Sequence, residues 1–384
     1  MRWWGTCRSS RPNVAKPPAS AVSERLQGIR DRIDEIDDEI ARLLNERANC
    51  AIETAEIKVA ESDGGKTVYY RPEREAQVFA RLRAANAGPL SNRDMERLFR
   101  TIISCCRALE QPLRIAFLGP HGTYSEAAAR EQFGAFVRTR ALASVDEVFR
   151  EVEADAAHYG VVPVENSTEG MVNHTLDCFI GSPLSICGEI ELPIHHAFMA
   201  ARGTDPAALE AICSHQQSLA QCRRWLDANY PGVPRRPVAS NAEAARMAAE
   251  TTNVAAIAGE MAAERYGLDI VHANIEDEAD NKTRFLVVGD QDVPACGSDR
   301  TSIIVSTRNA PGALYSVLEP FNRHGISLSR VETRPSRGSN WTYVFFIDFE
   351  GHKTDAPVAS ALADVRKVAV ELKLLGSYPR APAL

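Results

Sequence analysis

No stretch of these 384 residues approaches the roughly 20 consecutive apolar positions of a membrane span, and the opening MRWWGTCRSSRP lacks the apolar core of a secretion signal. Positive charge is not in excess either. Forty-four Lys and Arg against 51 Asp and Glu leave a formal charge of -7, which argues against a nucleic-acid partner and for a small-molecule role. The nine cysteines (Cys7, Cys50, Cys105, Cys106, Cys178, Cys187, Cys213, Cys222, Cys296) are odd in number and form no C-x-x-C pair. Most sit inside apolar runs, so they read as free thiols in a reducing compartment and the chain as cytoplasmic. The glycines of GPHGT fit neither G-x-G-x-x-G nor a P-loop, and no G-x-S-x-G turn occurs, which disfavours dinucleotide, nucleotide and serine-hydrolase chemistry. His195 and His196 are adjacent, not at ligand spacing, so no metal is expected. Residues 1–20, rich in Pro, Ser and Arg without periodicity, read as a disordered tail.

What is present falls into three patterns. From Val22 to Lys58 the apolar positions Ile29, Ile33, Ile36, Ile40, Leu43, Cys50 and Ile57 follow the four-three spacing of one long helix. A second helix is expected from Pro72 and a third over Ser91–Glu110, with Met95, Phe99, Ile102, Cys106 and Leu109 on one stripe. Three helices with so long a member cannot bury their own apolar faces, and an intertwined dimer is expected. From Pro112 short apolar runs alternate with helices that open on Thr123-x-x-Glu126, Ser144-x-x-Glu147 and Ser240-x-x-Glu243, the grammar of an α/β sheet. From Arg300 the order is βαββαβ, with a last helix over Ala356–Glu371 and a short final strand, the ferredoxin-like arrangement. The expected boundaries are therefore 21–111, 112–290 and 300–384, with 291–299 as linker.

The first helix breaks its stripe at Arg47. Lys58 lies eleven residues on, and at ~100° per residue eleven steps return to within about 20°, so both point to one face. Arg30 points elsewhere and suits a partner subunit's pocket. Arg74 and Glu75 on the second helix and Glu110 on the third add to a charged inner surface, and charges so placed must be paired or bind something. The runs LQGIRDRIDEIDDEIARLLNERANCAIETAEIK, YRPERE and ERLFRTIISCCRALEQ resemble the AroQ-type chorismate mutase. That resemblance implies an intramolecular Claisen rearrangement, needing only a folded dicarboxylate and charge stabilisation at the breaking ether oxygen. By the same resemblance Arg47 and Arg30 clamp carboxylates, Lys58 donates to the ether oxygen, Arg74 orients the substrate and Glu75 holds its hydroxyl. Cys106 stands where some relatives have Ser, and Glu110 where others have Gln. An ionised Glu only accepts hydrogen bonds, so Glu110 is expected to help only when protonated.

In the α/β segment four polar clusters stand at expected strand ends: GPHGTYSE (119–126), PVENSTEG (163–170), SHQQSLAQC (214–222) and NKTRF (281–285). They are rich in hydroxyls and amides and poor in general bases. In this order they resemble prephenate dehydratase, whose fold is similar to a two-lobed periplasmic-type (type II) binding protein with the site in the cleft. The resemblance implies one aromatising loss of carbon dioxide and hydroxide, for which a positioned hydroxyl donor suffices. It makes Thr283 the catalytic candidate, pairs Arg284 with a carboxylate, and lines the pocket with Thr123, Glu165, Asn166, Ser167, Thr168, Ser214 and Gln221.

Near the carboxyl end Pro311-Gly312-Ala313-Leu314 and Glu332-Thr333-Arg334-Pro335 resemble the two phenylalanine-binding motifs of an ACT domain. Glycine there lets backbone approach an amino-acid ligand at a helix N-terminus. The three segments occur in the order of the bifunctional chorismate mutase/prephenate dehydratases. This implies substrates chorismate and prephenate, no cofactor, feedback by L-phenylalanine, no nucleic-acid or membrane partner, and a homodimer or larger homo-oligomer. A protein whose lobes only bind a ligand is disfavoured by the T-R-F cluster and the cationic helical pocket. A mutase paired with a dehydrogenase is disfavoured by the missing dinucleotide fingerprint.

Overall fold

The computed structural model describes residues 19–61, 68–168, 170–335 and 343–381. The expected tail lies almost wholly outside them. Helix α1 (Ala19–Glu61) extends three residues beyond the expected span at each end, reinforced by exposed pairs such as Arg32–Glu35 and Arg42 with Glu39 and Glu46. Helix α2 (Pro72–Ala85) takes its proline in the first turn, where the missing N–H has no intrahelical partner to lose. Helix α3 (Asn92–Glu110) is capped by Ser91, whose Oγ accepts from Asp94 N at 3.1 Å. The α1 stripe is not buried within one chain: Ile29, Ile33, Ile36, Ile40 and Leu43 are 43–50% exposed. A continuous apolar face of this length calls for a covering surface.

The helical segment is fastened to the next by Tyr70, fully buried against Phe133 and Tyr159 with its OH accepting from Gln132 Nε2 at 2.5 Å. Burying such a side chain contributes about 1.5–3 kcal/mol. Arg107 adds a 2.8 Å hydrogen bond to the Phe133 carbonyl.

The α/β body has two lobes. In the first, β1 (Arg114–Leu118), β2 (Arg138–Leu142), β3 (Tyr159–Asn166), the short β4 (Gly170–Met171) and β5 (Ser185–Pro193) are interleaved with α4 (Tyr124–Phe133), α5 (Val145–Glu153) and α6 (Asn173–Gly181). The second holds β6 (Ala197–Ala200), β7 (Ala211–His215), β8 (Arg235–Val238), β9 (Val254–Ala258) and β10 (Asp269–His272), with α7 (Gln216–Gln221), α8 (Arg223–Asn229), α9 (Asn241–Glu250) and α10 (Glu260–Tyr266). The chain then returns to the first lobe as β11 (Lys282–Gly289), giving sheet orders β2-β1-β3-β11-β5 and β10-β6-β9-β7-β8. Two crossings of the chain thus form a hinge between the lobes. Glu276 ties them together, accepting from His196 N at 2.9 Å and meeting His195 Nδ1 at 2.7 Å.

Two of the three expected caps form as read: Ser144 accepts from Glu147 N and Ser240 from Glu243 N. Thr123 does not cap through its side chain. Gly122, at φ +84°, turns its own N–H onto Glu126 at 2.8 Å, and the Thr123 hydroxyl bonds back to Pro120 O at 3.0 Å.

The last segment folds as β12 (Asp299–Thr307), α11 (Ala313–Arg323), β13 (Leu328–Pro335), β14 (Tyr343–Glu350), α12 (Ala356–Val368) and β15 (Glu371–Pro379), with sheet order β13-β14-β12-β15. Helix α12 stops three residues short of the expected Glu371. The final strand is nine residues long rather than short, because Leu372 and Leu374 continue a period-2 pattern against the α11/α12 core. One hydrophobic cluster joins Leu176, Phe179, Ile186 and Leu286 of the α/β body to Ile304, Val344, Phe346 and Tyr378 of this sheet. The two are therefore packed through a shared core.

Candidate active sites

In the helical segment α1 and α3 bring Lys58 and Glu110 together: Lys58 Nζ donates to Glu110 Oε2 at 3.1 Å and lies 5.7 Å from the Tyr69 ring centre. The pair is half-buried beside an open hollow lined by Ile52, Ala55, Ala60, Tyr69 and Leu109. Arg30, Arg47 and Arg74 are exposed. Glu75 is differently engaged than expected: Arg107 donates to its Oε1 at 2.5 Å, so its carboxylate is tied into α3. Cys106 is buried. One chain thus offers a partly built, open site whose lining includes Glu56 and Glu110, with Lys58 paired to the latter.

The second constellation lies at the hinge between the lobes. Register pairs Thr283 on β11 with Asn166 on β3. Thr283 is 9% exposed, and its Oγ1 accepts from Asn166 Nδ2 at 2.9 Å. Because the oxygen accepts, the hydroxyl hydrogen remains available for donation. The Asn281 side-chain oxygen gathers three further donors: Asn166 Nδ2 at 3.1 Å, and the Ser167 and Thr168 hydroxyls at 3.3 Å each. Its amide then donates to Gln221 Oε1 at 3.3 Å, which also meets His196 Nε2 at 2.8 Å. Burial depresses the His196 pKa and favours the neutral ring, whose Nε2 meets Gln221 Oε1 and whose Nδ1 lies 2.8 Å from the Tyr124 hydroxyl, itself a donor to the His195 carbonyl at 2.8 Å. Gln221 Nε2 is buried with no hydrogen-bond partner among the described residues, a donor left over for something else. Among the described residues the arrangement consists of hydroxyls, side-chain amides and one imidazole.

Three expected cleft residues have other engagements. The fully buried Ser214 hydroxyl donates to Ile257 O at 2.6 Å and lies 2.9 Å from Asn241 Oδ1, joining β7 to β9 and α9. Arg284, 6% exposed, does not face the cleft. Adjacent strand residues point to opposite faces, and its guanidinium donates to Glu189 at 2.8 Å, Asp348 at 2.6 Å and Tyr378 OH at 3.0 Å. Glu165, on the same back face, is ion-paired with Arg330 of β13. Burial opposes the charge of Asp348, yet Arg284 beside it and the Ser302 hydroxyl hold its carboxyl below the usual range. Thr123 stands half-buried at the start of α4.

In the last segment both motifs lie toward the same end of the sheet, since Thr307 at the close of β12 and Pro335 at the close of β13 are each paired with Tyr343. Gly312 precedes α11 at φ +80°, a conformation costly for any residue with a Cβ, and Ala313 and Leu314 form its first turn. Thr333 is exposed and Glu332 half-buried. Arg334 makes a two-pronged 2.9 Å contact with Asp177 of α6, so part of this motif grips the α/β body.

Asn281, His196 and Tyr124 are site residues that sequence reasoning passed over. Asn281 opens the NKTRF cluster two residues before Thr283. His196 gave no signal beyond lying next to His195. Among the described residues one trio brings ligand-type atoms together, Asp146, His174 and Cys178, within 4.8 Å of one another on α5 and α6.

The family models described as Chorismate mutase type II, Prephenate dehydratase and ACT domain match residues 29–111, 115–293 and 301–367. The bifunctional chorismate mutase/prephenate dehydratase of Stutzerimonas stutzeri is 54% identical over 360 residues, covering 94% of this chain and 99% of its own. Among solved structures, a prephenate dehydratase from Arthrobacter aurescens in complex with L-Phe aligns with TM-score 0.66 and 35% identity, covering 71% of this chain and 92% of that one. GqqA, titled a novel type of quorum quenching acylase, aligns with TM-score 0.66 and 29% identity over 70% of this chain and 98% of its own. With all three segments matched in order and a relative aligned along nearly its whole length, the chain belongs to the bifunctional chorismate mutase/prephenate dehydratase family.

Proposed function

We propose that the chain converts chorismate to prephenate on its helices and prephenate to phenylpyruvate in its hinge cleft, in the cytoplasm, without cofactor and under feedback by L-phenylalanine. The functional units are 21–111, 112–290 and 300–384, joined by 291–299. The observation that carries the reading is the Thr283–Asn166 hydrogen bond at the floor of the cleft, in a site furnished with donors rather than bases.

For the first reaction Lys58 donates to the breaking ether oxygen while Arg47, Arg74 and Arg30 hold carboxylates, Arg30 coming from the partner of a homodimer. The exposed α1 stripe and the open site support that assembly. In the second reaction the ring–carboxylate bond breaks, its electron pair aromatises the ring, and hydroxide departs as water with the Thr283 proton, which solvent then restores. Asn166 polarises Thr283, and the spare Gln221 amide donor suits a substrate carboxylate. Asn281 keeps Ser167, Thr168 and Gln221 in place. Gly312, Ala313, Leu314 and Glu332–Pro335 receive L-phenylalanine, a reading supported by their lying toward the same end of the sheet and by the L-Phe complex of the Arthrobacter aurescens relative.

Prephenate supplied alone, with no added cofactor, is expected to give phenylpyruvate and carbon dioxide in equal amounts, and added L-phenylalanine to suppress the rate. Calorimetry on the whole enzyme should register L-phenylalanine binding. Turnover indifferent to L-phenylalanine, with no heat of binding, would remove the regulatory half of the proposal.

A further inference from the structure

Two strands carry the catalytic pair on one face and ion-pairing residues on the other. Thr283 and Asn166 are paired in register, and so are their neighbours Arg284 and Glu165. The back-face residues both reach the ACT segment. Arg284 is held by Asp348 and Tyr378 there and by Glu189 of β5, which also accepts from Arg300 of β12 at 2.6 Å. Ser302 completes this buried cluster, bonding Asp348 at 2.6 Å and Tyr378 OH at 2.7 Å. Burial opposes the Arg284 charge, but the surrounding Tyr378, Asp348 and Glu189 more than compensate and keep it ionised. Glu165 is held by Arg330, and Arg330 lies on β13 four residues before Arg334 of the effector motif. With a strand period of two, Arg330 and Arg334 share a face, and both grip the α/β body, at Glu165 and Asp177. A shift of β13 at its motif end therefore has a direct mechanical route to Asn166.

We propose that Arg284 and Glu165 are positioning residues that hold the Thr283–Asn166 pair from the back of the sheet, and that β13, through Arg330, transmits effector occupancy to that pair. This rests on the dehydratase reading above. Neither side chain touches substrate; each acts through its strand neighbour, the amide that polarises the hydroxyl or the hydroxyl itself. Sub-ångström movement there is enough, because a proton donor displaced by about 1 Å can lose on the order of 10²-fold in rate.

Two conservative variants of the full chain test this. Tyr378→Phe removes only a hydroxyl from the Arg284 cluster, and Arg330→Gln cuts the half-buried pair to Glu165; the mutase rate of the same molecules reports that the chain is intact. For Tyr378→Phe the dehydratase kcat is expected to fall about tenfold with KM for prephenate within about threefold, the signature of a lost transition-state contact rather than lost binding. For Arg330→Gln the half-inhibitory L-phenylalanine concentration is expected to rise at least about fivefold while calorimetric affinity for L-phenylalanine stays within about threefold, coupling being lost without loss of the site. Parent-like kcat and half-inhibition in both variants would overturn the inference, as would an L-phenylalanine affinity that falls in parallel with inhibition. Neither result touches the assignment of Thr283, which is tested by its own substitution.

Discussion

Replacing Thr283 with Ala is expected to lower dehydratase kcat by about 10²- to 10⁴-fold, the range for losing a positioned proton donor, while mutase turnover in the same molecules stays at the parent level. The reason is local. The Thr283 oxygen already accepts from Asn166, so its one hydrogen is free to follow the departing hydroxide, and no other hydroxyl occupies that place. Ser167 and Thr168 spend their hydrogens on Asn281, and Ser214 spends its own on Ile257 O. Thr283→Ser should retain much of the rate, since it keeps the donor and loses only a methyl group. A folded Thr283→Ala protein with near-parental prephenate turnover would show that the proton comes from elsewhere.

The second large effect is expected in the helices. Lys58→Met should reduce mutase kcat/KM by about 10²- to 10³-fold, as for removal of one donor to a developing oxyanion, and leave the dehydratase unchanged. Glu110 makes this site unusual. As a carboxylate it occupies the Lys58 ammonium at 3.1 Å, and the substrate ether oxygen must compete for the same donor. As a carboxylic acid it releases Lys58 and becomes a donor itself. The Glu110 carboxylate thus competes with substrate for the Lys58 donor. Glu110→Gln, a permanent donor, should raise the mutase rate. A parent-like mutase rate in Glu110→Gln would remove Glu110 from the reaction.

Much of the architecture was legible in the sequence because periodicity and punctuation agree there. The four-three spacing of Ile29 to Leu43 gave the long helix, Ser91 and Pro72 marked helix starts, and the βαββαβ order followed from alternating runs. Local spacing also brought Arg47 and Lys58 to one face. Relations across the fold were not legible. The pairing of Lys58 with Glu110 spans 52 positions, and that of Glu75 with Arg107 spans 32; each depends on how separate helices dock. Arg284 shows the limit most clearly. A motif places it beside Thr283, but the strand's alternation sends it to the opposite face, where a carboxylate from another segment awaits it. A resemblance carries residue identity along the chain. Whether a side chain faces the cleft or the sheet behind it depends on register, which only the folded pairing of β3 with β11 reveals.

The central claim, that two reactions run in series on one chain, is tested most directly by incubating the purified protein with chorismate alone and following chorismate and phenylpyruvate together. The account predicts that chorismate is consumed and phenylpyruvate appears in matching amount with no nicotinamide or metal added. Unchanged chorismate, or prephenate that accumulates without phenylpyruvate, would contradict it.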